Sequence, residues 1–529
     1  MLNAPTARSA AHFRSADRES SSTSSALAAL PLLRTASLPL TLVLLALAAP
    51  IVAAGWHQLF GDIWWVLKNG EVIATQGGLS ARDPFTFAAH TPGYMNGQWL
   101  SQLAYYGAYR VAGLEGLALF NMVIAAATVI LLLHAAWRRC GSLLAAAAST
   151  LMAELIAIWH LNPRAQTLAF LPFAATCWLL TRVRAGAGTL VGLAVVEAVW
   201  ANLHGSFFLG PCLTAGLLIG ALIQALPTTA PRAILRAPRT RFLVRALFIQ
   251  AVASMANPYG PRLYDYVLRL SSDSFIREYA TEWEPTNFNH WSGMWFFACL
   301  AATVVIIART RRRVVATDVL VLGLFAVLGL QAVRNVVWWA LVSGPVLAPY
   351  IAAMRVPERV VALGRSQSSG LGKVLRAAVI GLVVLVCSPP LRPINPFLSA
   401  EARSMVPANL PDGAATFLLA QPLPARVFAY QGWSSYLDWR LAPRYQLMVD
   451  VAFEAHPSEV WLDYMTIEAG HVSWEERLQR EGVDVLFLSR VSQPALLDAV
   501  TRSPNWQSIY SDDLAVIYAH STTAMEATL

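Results

Sequence analysis

Long apolar runs recur along most of this chain and restrict what it can fold into. A helix that crosses a membrane needs about 20 predominantly apolar residues, and eleven runs approach or reach this length. The stretch 98–112 is weaker, and its aromatic residues predict a helix that lies at the membrane interface. We therefore predict a polytopic α-helical membrane protein with spans at roughly 36–54, 113–136, 143–160, 164–181, 188–203, 206–226, 242–256, 292–308, 316–332, 336–354 and 377–391.

The composition excludes two other classes of protein. Hydrophobic residues make up 56% of the chain and charged residues 13%, with a mean hydropathy of +0.49. A soluble domain has about a quarter of its residues charged, and a disordered chain has low hydrophobicity and high net charge. Neither description fits. No pair of cysteines has C-x-x-C spacing, so the sequence predicts neither a disulfide framework nor a structural zinc site.

The basic residues predict the orientation of the spans, because cytoplasmic loops accumulate Lys and Arg. With the N-terminus in the cytoplasm, 22 of the 39 Lys and Arg residues fall in inner segments and 8 in outer ones, before the tail. The net charge of +8 therefore reflects topology, and no nucleic-acid partner is predicted. Residues 1–34, rich in Ser, Ala and Arg, predict a disordered cytoplasmic tail. The scarcity of Lys and the wealth of Ala, Arg and Leu suggest a bacterium with GC-rich DNA, so we expect the protein in a bacterial inner membrane.

With this orientation, unusual polar residues collect on the outer face. The first outer loop, 55–97, contains Asp62 and Asp83 with Trp64 and Trp65. Ionisable groups at such helix ends commonly line a substrate path. Each also has a simpler interpretation: an arginine extends to lipid headgroups, a histidine packs, and Asp83 caps a turn. The later outer segments add further polar candidates, which are Arg164, His204, Glu282, Glu284 and Arg334.

The tail changes character after residue 391. Residues 392–425 contain many prolines and predict a linker. Residues 426–529 alternate short β-branched and aromatic segments with helical ones, which predicts an extracytoplasmic α/β domain. The domain has no G-x-G-x-x-G and no P-loop motif, so a nucleotide-binding role is not indicated.

The region from Gly61 to Phe120 resembles the first loop of GT-C-type membrane glycosyltransferases, which include protein O-mannosyltransferases and aminoarabinose transferases. It is more similar still to a bacterial group with a GD-x-x-W…DPF-x-F…W…WL pattern. The segments NPRAQTLAF, WANLHGSFFLGP, NPYG, GWSSYLDWRL and VDVAFE also fit this group. Val66 and Val451 depart from its pattern. The resemblance implies a GT-C-like transmembrane domain over 35–391.

The resemblance also implies an activity: transfer of a sugar from a polyprenyl-phosphate donor to an acceptor on the outer face, with inversion. It assigns Asp62 as the base. Guanidinium groups suit the departing lipid phosphate, so Arg164 and Arg334 are candidates to bind it, with His204 as a neighbour. Carboxylates bind sugar hydroxyls or hard cations, which makes a divalent metal the one cofactor considered. The remaining candidate substrate-binding residues are Glu282, Glu284, Trp64, Trp65 and Asp83.

Two other functions stay open at this point. One is transport or flipping of a lipid-linked saccharide, although the sequence shows no paired repeat of the kind that transporters often have. The other is a non-catalytic membrane scaffold with an outer binding domain. The acceptor is a glycan, a lipid or a protein; the sequence does not distinguish these.

Overall fold

The computed structural model describes residues 37–182, 186–226, 230–354 and 370–521. The predicted cytoplasmic tail at 1–34 lies outside these residues. Most of the described chain is α-helical, and each of the apolar runs found in the sequence coincides with a helix. The helices up to residue 386 are α1 (Ser37–Trp56), α2 (Ile63–Gln76), α3 (Trp99–Cys140), α4 (Leu143–Ala157), α5 (Ala165–Leu180), α6 (Ala187–Leu203), α7 (Leu209–Ala225), α8 (Pro231–Arg236), α9 (Pro238–Ala253), α10 (Arg262–Ser272), α11 (Ser274–Tyr279), α12 (Trp291–Arg309), α13 (Ala316–Gln331), α14 (Val336–Ala352) and α15 (Gly370–Val386).

Within the described ranges, six helical segments are long and apolar enough to cross a membrane by length and composition. Three shorter apolar helices, α5, α6 and α13, lie among them. The chain is thus a multi-pass membrane protein with a mostly helical fold, and its eleven crossings stay a prediction. The stretch 98–112 forms the first part of α3, separated from the apolar part by a kink at Ala112 and Gly113. Gly113 has a φ of +63°, which glycine adopts without a Cβ penalty.

Helix α14 lies at the centre of the bundle. Every residue from Val336 to Tyr350 is buried, and the helix packs closely against α4 and α13. Its side chains pack with those of α5, including the edge-to-face contact between Trp338 and Phe170. Arg334 lies just before this helix, in a 3₁₀ turn. The central helix therefore holds Arg334 in place through the packing of the whole bundle.

The C-terminal domain has a five-stranded mixed sheet in the order β2-β1-β3-β5-β4. Strand β1 is parallel to β2 and β3, whereas β5 is antiparallel to β3 and β4. This confirms the small C-terminal sheet. The strands are β1 (Arg426–Ala429), β2 (Gln446–Leu447), β3 (Val485–Ser489), β4 (Trp506–Ser511) and β5 (Ala515–His520), and the helices are α16 (Ala400–Arg403), α17 (Asp412–Ala420), α18 (Gln431–Leu441), α19 (Ser458–Glu468), α20 (Trp474–Glu481) and α21 (Pro494–Arg502).

The segment 392–425, predicted as a linker, contains α16 and α17. Helix α17 buries Ala414, Ala415 and Leu418 in the apolar cluster beneath the sheet. It is therefore packed as part of the C-terminal domain. Helix α17 packs there because one of its faces is apolar. The many prolines around it led to the prediction of a linker.

The loop between α2 and α3 docks directly onto the C-terminal domain. The Phe87 amide donates to the Leu447 carbonyl at 3.0 Å, and the Leu447 amide donates to the Phe85 carbonyl at 2.9 Å. The loop thus pairs with the edge strand β2 through backbone hydrogen bonds, which protects that edge. We call the end of the bundle that contacts this domain the domain end. All the polar candidates from the predicted outer face lie at the domain end.

A buried acidic cluster lies between the loop and the C-terminal domain and consists of Asp83, Asp438 and Asp450. Asp438 is only 1% exposed, and neither of its carboxylate oxygens has a hydrogen-bond partner in the described part of the chain. Burial raises the pKa of Asp438 well above its usual range, and Asp450 and Asp83 raise it further, whereas Lys68 acts in the opposite direction. The folded protein therefore favours the protonated form of Asp438.

This shift predicts how stability depends on pH. Because the pKa of Asp438 is higher in the folded state than in the unfolded state, the folded chain keeps a proton at pH values where the unfolded chain has released it. The free energy of unfolding therefore falls as the pH rises through the interval between the two pKa values. We expect Asp438→Asn to raise the melting temperature more at pH 8 than at pH 5, measured by thermal unfolding in detergent. Asp498→Asn is the control, since its side chain is 67% exposed in the same domain. An equal loss of stability at both pH values in Asp438→Asn would contradict this assignment.

Candidate functional site

Asp62 lies at the turn between α1 and α2. Gly61 has a φ of +69°, and this left-handed turn lets the chain reverse before α2 begins at Ile63. Asp62 occupies the position before the first helical residue, yet its side chain makes no capping hydrogen bond to α2. Its carboxylate points instead toward Arg164, with 3.9 Å between Oδ2 and Nη2.

Arg164 is held at the start of α5 in an extended conformation. The Tyr105 hydroxyl donates to Asn121 Oδ1 at 2.8 Å and lies 3.3 Å from the Arg164 carbonyl oxygen. The Asn121 amide in turn donates to the Leu161 carbonyl at 2.7 Å. Polar residues of α3 therefore fix the NPR turn that presents the Arg164 side chain.

Four charged side chains meet at the domain end, and we call Asp62, Arg164, Glu282 and Arg334 the charged cluster. Glu282 bridges the two arginines: its Oε2 lies 2.7 Å from Arg164 Nη2 and its Oε1 lies 2.7 Å from Arg334 Nη1. The Arg334 guanidinium also stacks over the Trp283 ring, 4.6 Å from its centre. The exposed fraction rises from 16% for Arg334 to 48% for Asp62. Asp62 is thus the most accessible member.

The two arginines of the charged cluster determine the protonation of Glu282 and of the neighbouring His204. Desolvation would raise the pKa of Glu282, but Arg164 and Arg334 overcome it and lower that pKa to about 2. Burial and the same two arginines lower the pKa of His204 to about 3. His204 Nδ1 accepts from the Ser206 amide at 3.1 Å, so the ring proton of the neutral histidine is assigned to Nε2. At neutral pH the site contains an ionised Glu282 beside a neutral imidazole.

Asp62 behaves differently from Glu282. Although its side chain is partly exposed, the protein around it restricts its hydration, which raises the pKa of Asp62 above its ordinary range. Arg164 lowers this pKa, and the negative charge of Glu282 raises it. Two carboxylates whose pKa values are pushed apart are typical of sites with distinct acid–base roles.

The remaining predicted residues lie outside the charged cluster. Trp64 and Trp65 are almost fully buried against the C-terminal domain, and the Trp64 ring contacts Tyr436 with 5.2 Å between ring centres. Asp83 is buried in the acidic cluster and accepts from the Thr86 hydroxyl at 2.6 Å. Glu284 joins the site through its backbone, where its carbonyl accepts from the Val333 amide at 3.0 Å. Their roles as substrate-binding residues stay predictions.

Two residues that sequence analysis did not select lie near the cluster. Glu454 of the C-terminal domain accepts a hydrogen bond from the Tyr266 hydroxyl at 3.3 Å. Burial raises the pKa of Glu454, whereas the Tyr266 hydrogen bond and the charge of Arg334 lower it. Glu454 is the last residue of the segment VDVAFE quoted above, and Tyr266 lies six residues after NPYG, which was the signal available in the sequence.

Among the residues that the structure describes, no group of three His, Cys, Asp or Glu side chains is arranged to hold a metal ion. Both carboxylate oxygens of Glu282 are already paired with arginines. A cation at Glu282 would have to displace one of these guanidinium groups, so Glu282 in this arrangement does not fit a divalent metal, and a metal bound elsewhere stays a prediction.

The sequence matches no protein family model and no curated protein. Solved structures do match. The chain is similar to ArnT from Cupriavidus metallidurans bound to undecaprenyl phosphate, with 13% identity, a TM-score of 0.52, and coverage of 90% of this chain and 97% of that one. It is also similar to the archaeal oligosaccharyltransferase AglB from Archaeoglobus fulgidus, solved with an inhibitory peptide and a dolichol-phosphate. That match has 13% identity, a TM-score of 0.51, and coverage of 91% and 74%.

These likenesses define the class of fold: it is the fold of GT-C glycosyltransferases, as the first-loop motifs predicted. This chain covers 97% of the ArnT chain. At 13% identity the likeness establishes the fold and leaves the reaction to be argued from the site.

Proposed function

We propose that this protein is a membrane glycosyltransferase that moves a sugar from a polyprenyl-phosphate donor to an acceptor at the domain end. The observation that carries this proposal is the charged cluster: an accessible carboxylate, Asp62, beside two arginines joined by Glu282. A phosphate-linked donor requires cations for its leaving group, and an acceptor hydroxyl requires a base. The cluster supplies both.

The arginines suit the leaving phosphate. Guanidinium groups bind phosphate oxygens through paired N–H donors, and their charge stabilises the negative charge that grows as the bond to the sugar breaks. Arg164 and Arg334 share Glu282, which holds their side chains at one place before any ligand arrives. His204, whose neutral ring interacts electrostatically with both arginines, is a further candidate donor.

Asp62 acts as the base in this proposal. The acceptor hydroxyl gives its proton to the Asp62 carboxylate as its oxygen bonds to the anomeric carbon, and the bond between that carbon and the phosphate oxygen breaks. Polyprenyl phosphate leaves with the electron pair. One displacement of this kind inverts the anomeric configuration. No step uses a metal.

The comparisons support the class of donor. ArnT was solved with undecaprenyl phosphate and AglB with a dolichol-phosphate, both polyprenyl-type phosphates. We place the domain end outside the cytoplasm of a bacterial inner membrane, with the N-terminus inside, as the Lys and Arg distribution predicts. The acceptor is a glycan, lipid or protein reached from that face.

Native mass spectrometry of the full chain tests this function. In mild detergent we expect polyprenyl phosphate to copurify with the wild-type protein and its sugar-loaded form to accumulate on Asp62→Asn, because the variant binds donor without consuming it. Asp265→Asn is the control, since this exposed aspartate is at the same end but paired with Arg269. Two results would contradict the transferase. One is that Asp62→Asn turns over a lipid-linked saccharide at the same rate as the wild-type protein, as a transporter would. The other is that only bulk phospholipid copurifies with every variant.

A further inference from the structure

Ser435 of the C-terminal domain contacts both sides of Asp62. Its hydroxyl donates to the Gly61 carbonyl at 2.8 Å and accepts from the Trp65 amide at 2.8 Å. The side chain is buried, with 4% exposure, and belongs to α18. One hydroxyl from a distant part of the chain therefore spans the start of α2.

The Trp65 amide is one of the two that Asp62 would ordinarily bind, the other being that of Trp64. The first amides of a helix have no partner inside it, and an aspartate at the capping position normally accepts from the second or third of them. Trp65 is the third helical residue of α2, and its amide is taken by Ser435. Asp62 has the backbone angles of a helical residue, φ −62° and ψ −16°, and makes no capping bond.

We propose that Ser435 is a positioning residue: by capping α2 in place of Asp62, it leaves the Asp62 carboxylate directed at Arg164. This inference rests on the proposed function, and it makes the C-terminal domain part of the catalytic machinery. Without the Ser435 hydroxyl, the free Trp65 amide would draw the Asp62 carboxylate back toward the helix and away from the arginines.

Neighbouring contacts hold the same segment to the C-terminal part of the chain. The Leu59 amide donates to the Met405 carbonyl at 2.8 Å. Arg392, which is 4% exposed, donates to the carbonyls of Trp56 and His57 at 2.9 and 3.2 Å. These bonds fix the backbone on the α1 side of Asp62. Ser435 acts on the α2 side, where the direction of the carboxylate is decided.

The experiment compares Ser435→Ala with Ser434→Ala in the purified full chain. Ser434 is a matched control because it is adjacent and fully buried, and among the residues that the structure describes its hydroxyl donates within its own helix, to the Gln431 carbonyl at 2.8 Å. Turnover is read as polyprenyl phosphate released from a lipid extract of the source membranes. Binding is measured with undecaprenyl phosphate as the probe.

We expect Ser435→Ala to lower kcat roughly 10- to 100-fold, as small displacements of a catalytic group do. Binding of undecaprenyl phosphate is expected to stay at the wild-type level, and Ser434→Ala to behave as wild type. In the Asp62→Asn background, Ser435→Ala should cause no further loss, because coupled residues are not additive. In Ser435→Ala, an Asp62 carboxylate that accepts the Trp65 amide would have a lower pKa than in the wild-type protein. The acid limb of the activity that remains in Ser435→Ala should therefore move to lower pH.

The outcomes separate this inference from the proposed function. If Asp62→Asn turns over like wild type, the proposed function is wrong. If Asp62→Asn is inactive but Ser435→Ala matches Ser434→Ala, the function stands and the positioning role is wrong. A parallel loss of turnover and undecaprenyl phosphate binding in Ser435→Ala would also overturn it, since that pattern indicates a general structural defect.

Discussion

Asp62→Asn is expected to lower the turnover number by about 10² to 10⁴, the usual contribution of a positioned general base. Asparagine has nearly the same shape but cannot accept the acceptor proton. The ion pair with Arg164 is long at 3.9 Å, so its loss disturbs the arginines little. We therefore expect undecaprenyl phosphate to bind Asp62→Asn as it binds wild type. Steady-state rates with separate binding measurements test both parts.

The pH dependence gives an independent check on the same residue. Protonated Asp62 cannot act as a base, so activity should fall on acidification with a midpoint above the ordinary aspartate value of about 3.9, because the pKa of Asp62 is raised. Glu282 and His204, with pKa values of about 2 and 3, do not change charge in this range. An acid limb that persists unchanged in the residual activity of Asp62→Asn would assign it to another group.

The second large effect is expected from Arg334→Ala. Hydrogen bonds to charged groups contribute about 1.5–3 kcal/mol, so removing this guanidinium should weaken undecaprenyl phosphate binding roughly 10- to 100-fold. Arg334 is the least exposed member of the cluster, at 16%, and water cannot easily replace it. Arg334→Lys should recover part of the affinity, because lysine keeps the charge but loses the paired donors.

A control at the same end of the bundle is Arg277→Ala, because this arginine is exposed on the short helix α11. It should bind undecaprenyl phosphate as wild type does. Equal binding by Arg334→Ala and Arg277→Ala would exclude Arg334 from the phosphate site. Binding is measured by titrating the lipid into detergent-solubilised protein and following the bound fraction by native mass spectrometry.

Some members of the site could be selected from the sequence because membrane topology restricts where polar residues can lie. Apolar runs separated by polar segments reveal which residues lie at helix ends, and the charge distribution predicts which ends face outward. Asp62, Arg164, Glu282 and Arg334 were selected in this way, and the structure brings all four together. The same reasoning could not select Glu454, because its position depends on how the C-terminal domain docks.

The sequence by itself determined the apolar helices, the separate C-terminal α/β region and the polar residues at one end of the bundle. These features follow from local hydrophobicity and from the cost of placing charges in lipid. Tertiary structure alone decided which charges pair, that Asp83 joins a buried acidic cluster, and that Ser435 caps the helix beside Asp62. Such contacts join residues that are distant in the sequence, up to 370 positions apart for Trp65 and Ser435, so they depend on packing between elements, which no local pattern in the sequence records.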